Sequence, residues 1–241
     1  MTTKSISNLC ALTGGFGLLA FAPLGQGQIL INEVDADTPG SDTAEFVELF
    51  NAGISGVPLN GLSLVFFNGN GDISYFALDL DPSVTLQAGQ FYVVGNPGVA
   101  NAQQTFAPGT QGLLQNGADA VALFNAPASS FPNGTPVTDM SLLDAVVYGT
   151  ADAADDGLLS ILTPGQPQVD EGAGVSTGDP VGVAPAVSIG RFPNGFGAQR
   201  QTDTYMQLSP TPGTFNVIPE PSAAILGALG VLALLGRRRR A

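Results

Sequence analysis

The sequence predicts an all-β protein, an antiparallel β-sandwich, and three observations predict it. Thirty-two Gly and 18 Pro in 241 residues interrupt the chain too often for long helices. Short runs rich in β-branched and aromatic side chains recur between Gly, Asn, Asp and Pro. No window ahead of the C-terminal stretch sustains helical periodicity for long.

The predicted strands are residues 29–34 (ILINEV), 44–50 (AEFVELF), 62–67 (LSLVFF), 73–80 (ISYFALDL), 90–94 (QFYVV), 119–124 (DAVALF) and 142–148 (LLDAVVY). Residues 186–192 (AVSIGRF) and 204–208 add a closing pair. The stretch Asn68-Gly69-Asn70-Gly71-Asp72 between two apolar runs reads as a hairpin turn. Residues 149–185 carry six acidic residues, no basic one and several Gly and Pro, so they read as a long acidic loop. Within it, Leu158 to Leu162 packs as one turn or a short strand.

Charge is distributed unevenly. Lys4 lies at one end and Arg237 to Arg240 at the other. Between Gln28 and Asn216 only Arg191 and Arg200 stand against 19 acidic residues, so this part of the chain is near −17. Such a surface repels phosphate backbones, which excludes nucleic acid as a partner, and attracts divalent cations or basic groups. Histidine is absent, and the single cysteine, Cys10, lies near the N-terminus. That removes Ser-His-Asp arrangements, thiolate nucleophiles and the usual zinc ligands from the domain. Tryptophan, the best sugar-stacking platform, is absent too.

The two ends read as addresses. Residues 1–27 have the order of a secretory signal peptide: Lys4, an apolar stretch from Leu9 to Leu19, then small residues. Cleavage after Ala22 or after Gly27 fits equally. Residues 217–241 hold Pro219-Glu220-Pro221, an uncharged run from Ala223 to Gly236, and four arginines. As a helix the run of residues 223–236 reaches about 21 Å. That is short of a hydrocarbon core of about 30 Å, so a transmembrane segment here is a strained one, with the arginines cytoplasmic.

Pro219-Glu220-Pro221, the apolar run and Arg237, Arg238, Arg239 and Arg240 together resemble the PEP-CTERM sorting signal. The resemblance implies an exosortase, a membrane-embedded cysteine protease of Gram-negative bacteria, as the processing partner. It further implies transient anchoring in the inner membrane, then release or attachment at the cell surface.

A second resemblance runs through residues 28–216. Ile31-Asn32-Glu33-Val34, Glu45 to Asn51, Leu59 to Phe67, Gly117 to Leu123, Asp144 to Gly149, Ser188-Ile189-Gly190-Arg191 and Thr211 to Asn216 together resemble a bacterial lamin-tail domain. Leu62-Ser63-Leu64 departs from the pattern, which often has a Trp there. The resemblance implies an immunoglobulin-like sandwich acting as an adhesive or binding module, and implies no enzyme activity.

Three constellations are candidates for chemistry. Asp35, Asp37, Asp42 and Glu45 offer oxygen ligands suited to calcium, although Pro39 and Phe46 break the EF-hand pattern and an acidic turn is the ordinary reading. Glu33 and Glu48 lie on predicted strands, and a buried carboxylate needs a partner; Arg191 is expected to pair with Glu48 or Glu33 as a structural ion pair. The competing use of Glu33 and Glu48 is as the two carboxylates of glycoside hydrolysis. The expected function is an exported, non-enzymatic surface or matrix protein associating with exopolysaccharide or other surface proteins, calcium assisting. The alternative is a secreted metal-dependent hydrolase using acidic residues.

Overall fold

The computed structural model describes residues 28–38, 41–106, 112–172 and 187–217. The signal-peptide and sorting-signal stretches therefore lie outside the described residues, apart from Val217. Strands are β1 Ile29–Asp35, β2 Phe46–Asn51, β3 Val57–Pro58, β4 Ser63–Asn68, β5 Ile73–Asp79, β6 Thr85–Leu86 and β7 Phe91–Gly95. They continue with β8 Ala102–Thr105, β9 Asp119–Phe124, β10 Leu142–Gly149, β11 Val169–Asp170, β12 Ser188–Arg191 and β13 Tyr205–Leu208. One α-helix among the described residues, α1, spans Asp156–Leu162. It is not long and apolar enough to cross a membrane.

Two sheets form the sandwich. One has the order β13-β12-β1-β2-β7-β8 and the other β11-β10-β9-β4-β5, while β3 and β6 make a small separate pair. Pairing is antiparallel except for β7 with β8 and β10 with β11. The interior is filled by Ile31, Val34, Val47, Leu49, Val94 and Ile189 from the first sheet and by Leu64, Phe66, Val121, Leu123, Val146 and Tyr148 from the second.

The outward faces of both sheets are also covered. Val65, Phe67, Ala120, Ala122, Ala145 and Val147 on the second sheet lie under α1, through Leu158 and Leu162, and under Phe131. This explains why runs such as DAVALF and SLVFF are continuously apolar rather than alternating: both faces are removed from water. The region expected to be a long acidic loop thus contains a packed helix. Asp155 caps its N-terminus by accepting from the Leu158 amide at 2.8 Å. Arg200 caps its C-terminus by donating to the Leu162 and Ile161 carbonyls. The two leucines four apart and the acidic cap are a helix signal, but one that at seven residues is too short to stand out from the flanking loop.

The predicted hairpin turn is observed between β4 and β5, which pair from Asn68↔Ile73 outward. Gly71 and Asp72 both take positive φ there, 109° and 53°, the conformation that short turns require.

Candidate functional site

Strand parity decides where the carboxylates point. Val47 and Leu49 face the interior, so Phe46, Glu48 and Phe50 face outward from the first sheet. A bulge in β1 between Ile31 and Glu33 sets Glu33 directly across from Glu48. Both side chains are nonetheless completely buried. They are covered by the C-terminal segment 209–217, which runs across the sheet as a strap.

The strap is bound through those two carboxylates. Thr211 donates to Glu33 from its amide and its hydroxyl, each at 2.8 Å, and Ser188 adds a third donor at 2.6 Å. Glu48 accepts from the Gly213 amide at 2.6 Å and from Asn32 at 2.7 Å. Asn216 closes the strap by donating to the Arg191 carbonyl at 2.9 Å. Close approach here excludes side-chain bulk: a Cβ on Gly190 would lie 2.6 Å from Asn216. Burial raises the pKa of both acids, that of Glu48 to about 8, against the opposing pull of their hydrogen bonds.

Arg191 is a buried structural cation, but its partner is neither Glu33 nor Glu48. It faces the space between the sheets, on the same side of β12 as Ile189, while those two acids face away. Its Nη2 lies 3.1 Å from Asp144 on β10, and both side chains are fully buried. Its Nε donates to the Ile31 carbonyl at 2.8 Å, and Tyr205 stacks over the guanidinium at 4.9 Å. Asp144 in turn accepts from the Ile31 amide at 2.8 Å and from the Arg200 and Ala145 amides. The pair thereby takes up both backbone groups of Ile31, beside the β1 bulge. Asp144, an acid inside the apolar run LLDAVVY, was the available sequence signal for this partner.

The opposite end of the sandwich is acidic. Asp35 is buried against Glu171, and burial followed by repulsion from Glu171 and Glu33 pushes its pKa well up. Glu171 accepts from the Ala36 and Asp37 amides, and burial raises it to about 8. Glu45 accepts from the Leu113 amide at 2.9 Å and is raised by burial to about 7. Asp37 accepts from Asn116 at 3.3 Å. Asp35, Asp42 and Glu45 each leave one buried oxygen without a hydrogen-bond donor. Yet no three acidic side chains among the described residues converge closely enough to hold one metal ion. Asp35 turns toward Glu171 rather than toward Asp42.

At the same end an open cavity of about 420 Å³ is lined by Asn68, Gly69, Gln115, Asp119, Asp152 and Asp155 among others. Asp119, raised by burial to about 6, accepts from the Gly69 amide at 2.9 Å. The β4–β5 turn, the segment entering β9 and the segment preceding α1 form this cavity, and a hairpin turn and an acidic loop read one at a time along the chain do not show that they meet.

Glu33 and Glu48 are sealed beneath the strap and saturated with donors, which takes away the carboxylate pair of the glycoside-hydrolase reading. A β-sandwich of this build suits a binding or structural role, which its family match supports. The family sequence model of the "Lamin Tail Domain" matches residues 23–150, and the chain belongs to that family. The match covers β1 to β10; the Arg191 strand and the strap follow it. No curated protein matches. Among solved structures, a DUF4876 family protein from Bacteroides thetaiotaomicron VPI-5482 is similar at 12% identity and a TM-score of 0.44, over 81% of this chain and 73% of that one.

Proposed function

We propose that this protein is exported, held in the inner membrane by its C-terminal stretch, and cleaved there by an exosortase-type protease. It then serves at the cell surface or in the extracellular matrix as a non-enzymatic binding module for exopolysaccharide or other surface proteins. The observation that carries this reading is the order Pro219-Glu220-Pro221, uncharged run, Arg237–Arg240, beginning two residues after the strap ends. A tail placed there can be cut without loss of any strap contact described above. Following the chain in cells with and without the protease tests this. A shortened, membrane-free form is expected only where the protease is present; an intact, membrane-bound form in both overturns the reading.

Calcium belongs to the proposal as an accessory ion at the Asp35–Glu45 loop. The support is the set of buried oxygens there without donors, which a cation would satisfy after the loop rearranges. At pH 8 Glu45 is mostly ionised, since its pKa is about 7. With calcium about tenfold above its Kd, Tm should rise by roughly 3–5 °C, and Asp42→Asn should abolish the rise. An unchanged Tm at millimolar calcium removes the ion from the account.

A further inference from the structure

The exposed apolar side chains are concentrated where the strap ends. Phe215 lies edge-on to Phe91 at 5.4 Å between ring centroids, and Phe91 packs on Phe50 at 4.9 Å. Gly195, beside Phe196, sits against Phe50 and Ala52, so close that a Cβ on it would meet the Phe50 ring at 2.5 Å. Asn216 donates to Asn194 at 2.8 Å, joining the Phe196 turn to the strap. Around this aromatic row stand Phe196 (59% exposed), Phe215 (66%), Val217 (56%) and, on the adjoining loop, Ile54 (66%). These are four of the seven large apolar side chains that are exposed among the described residues, so the patch is not a scatter of single residues.

Charge is absent from the same place. Segments 52–58, 192–199 and 209–217, which build the patch, contain no Asp, Glu, Lys or Arg, in a domain near −17. The acidic cavity and the Asp35, Glu45 and Glu171 carboxyls lie at the other end of β1, β2 and β10. Acidic residues are therefore concentrated toward one end of the strands, while at the other end Asp79 and Asp139 stand at the second sheet and the patch on the first is uncharged.

The chain leaves the domain beside this uncharged patch, at Val217. From Val217 to the start of the uncharged run at Ala223 only residues 218–222 intervene, a reach of at most about 20 Å. We propose that the Ile54, Phe196, Phe215 and Val217 patch is a lipid-contact surface. While the tail is in the bilayer, the domain rests on the membrane through this end, aromatic rings in the headgroup region, with its acidic end turned away. This rests on the membrane reading of the tail. The short tether brings the patch to the bilayer, and the lack of charge removes the desolvation cost that the acidic end would meet there.

Because the chain has no Trp, single reporters are available. Phe215→Trp and Phe196→Trp place one in the patch at exposed ring positions, and Ala153→Trp places one beside the acidic cavity. Each tail-bearing chain is incorporated into phosphatidylcholine vesicles with and without brominated acyl chains. Flotation with the vesicles is expected for all three. Both patch reporters should lose at least about half their emission to bromine, as rings buried in the interface do, while the Ala153→Trp reporter keeps its emission. Flotation with patch reporters unquenched and water-like overturns the lipid surface and leaves the membrane reading standing. Blue-shifted but unquenched emission means that a second copy or the chain's own apolar run covers the patch, which also overturns it. Failure to float defeats the membrane reading itself, and the lipid surface with it.

Discussion

Replacing Arg191 with methionine should cost about 3–5 kcal/mol of stability, the usual penalty for breaking a fully buried ion pair from one side. For a domain of this size that is a fall of roughly 10 °C in Tm. The cost has two parts. Asp144 loses its ion-pair partner while remaining fully buried, and the Ile31 carbonyl loses the Nε donor that reaches it at 2.8 Å. Asp144 already has a raised pKa because burial outweighs the guanidinium beside it, and without Arg191 that pKa rises further. The Arg191→Met variant should therefore recover part of its stability at pH 5. Adding Asp144→Asn should recover part of it at pH 8, because the orphaned charge is gone. Denaturant melts of the two single variants and the double variant give the coupling directly. A loss under about 1 kcal/mol for Arg191→Met would mean that the pair does not hold the two sheets together.

The second large effect is on pH. Glu33, Asp35, Glu45, Glu48, Asp119, Asp144 and Glu171 are all raised by burial, whereas exposed Asp81 is lowered by its hydrogen bonds from Ser83. A raised carboxyl is protonated in the folded chain at a pH where the unfolded chain has already released the proton. Stability then falls as pH rises from the unfolded values near 4 through the folded ones. Here the fall runs past Asp119 at about 6 and Glu45 at about 7 to Glu48 and Glu171 at about 8. Tm should be at least about 10 °C higher at pH 5 than at pH 8.5. Asp35→Asn isolates one contribution. An amide in that place donates to Glu171 at every pH, so the variant should be more stable than the parent at pH 8.5 and nearly equal to it at pH 5. A flat profile, or one that rises with pH, would show that these carboxyls are ionised in the folded protein.

Nine of the strands were legible from apolar runs bounded by turn residues. The two-residue pairs β3 and β6, the strand β11 and the edge strand β8 were not. Ala102 to Thr105 has no apolar pattern, because its role is to extend the sheet edge through its backbone and through Gln104, which reaches Tyr92 and the Asp79 carbonyl. The candidate site was half legible. Glu33, Glu48 and Arg191 could be picked out as charges on predicted strands that need a partner if buried, and all three are buried. Their partners could not be read. Whether Arg191 meets Glu48 or Asp144 depends on which face of β12 it occupies and which strand lies opposite, both properties of the assembled sandwich. Glu171 illustrates the same gap: within an acidic run it is one charge among six, and its burial against Asp35 follows only from the path of the chain after α1.

Composition and pattern alone determined that this chain is a β-sandwich whose domain is poor in cations. Gly, Pro and β-branched spacing act locally, and charge counts need no coordinates. Only the tertiary structure decided what the buried acids do. Strand parity and the β1 bulge turn Glu33 and Glu48 outward, where the strap supplies the backbone donors that no side-chain cation is left to provide. The fold likewise gathers Ile54, Phe196 and Phe215, far apart in the chain, at the end from which the tail departs. That juxtaposition is a property of packing, and no run of neighbouring residues encodes it.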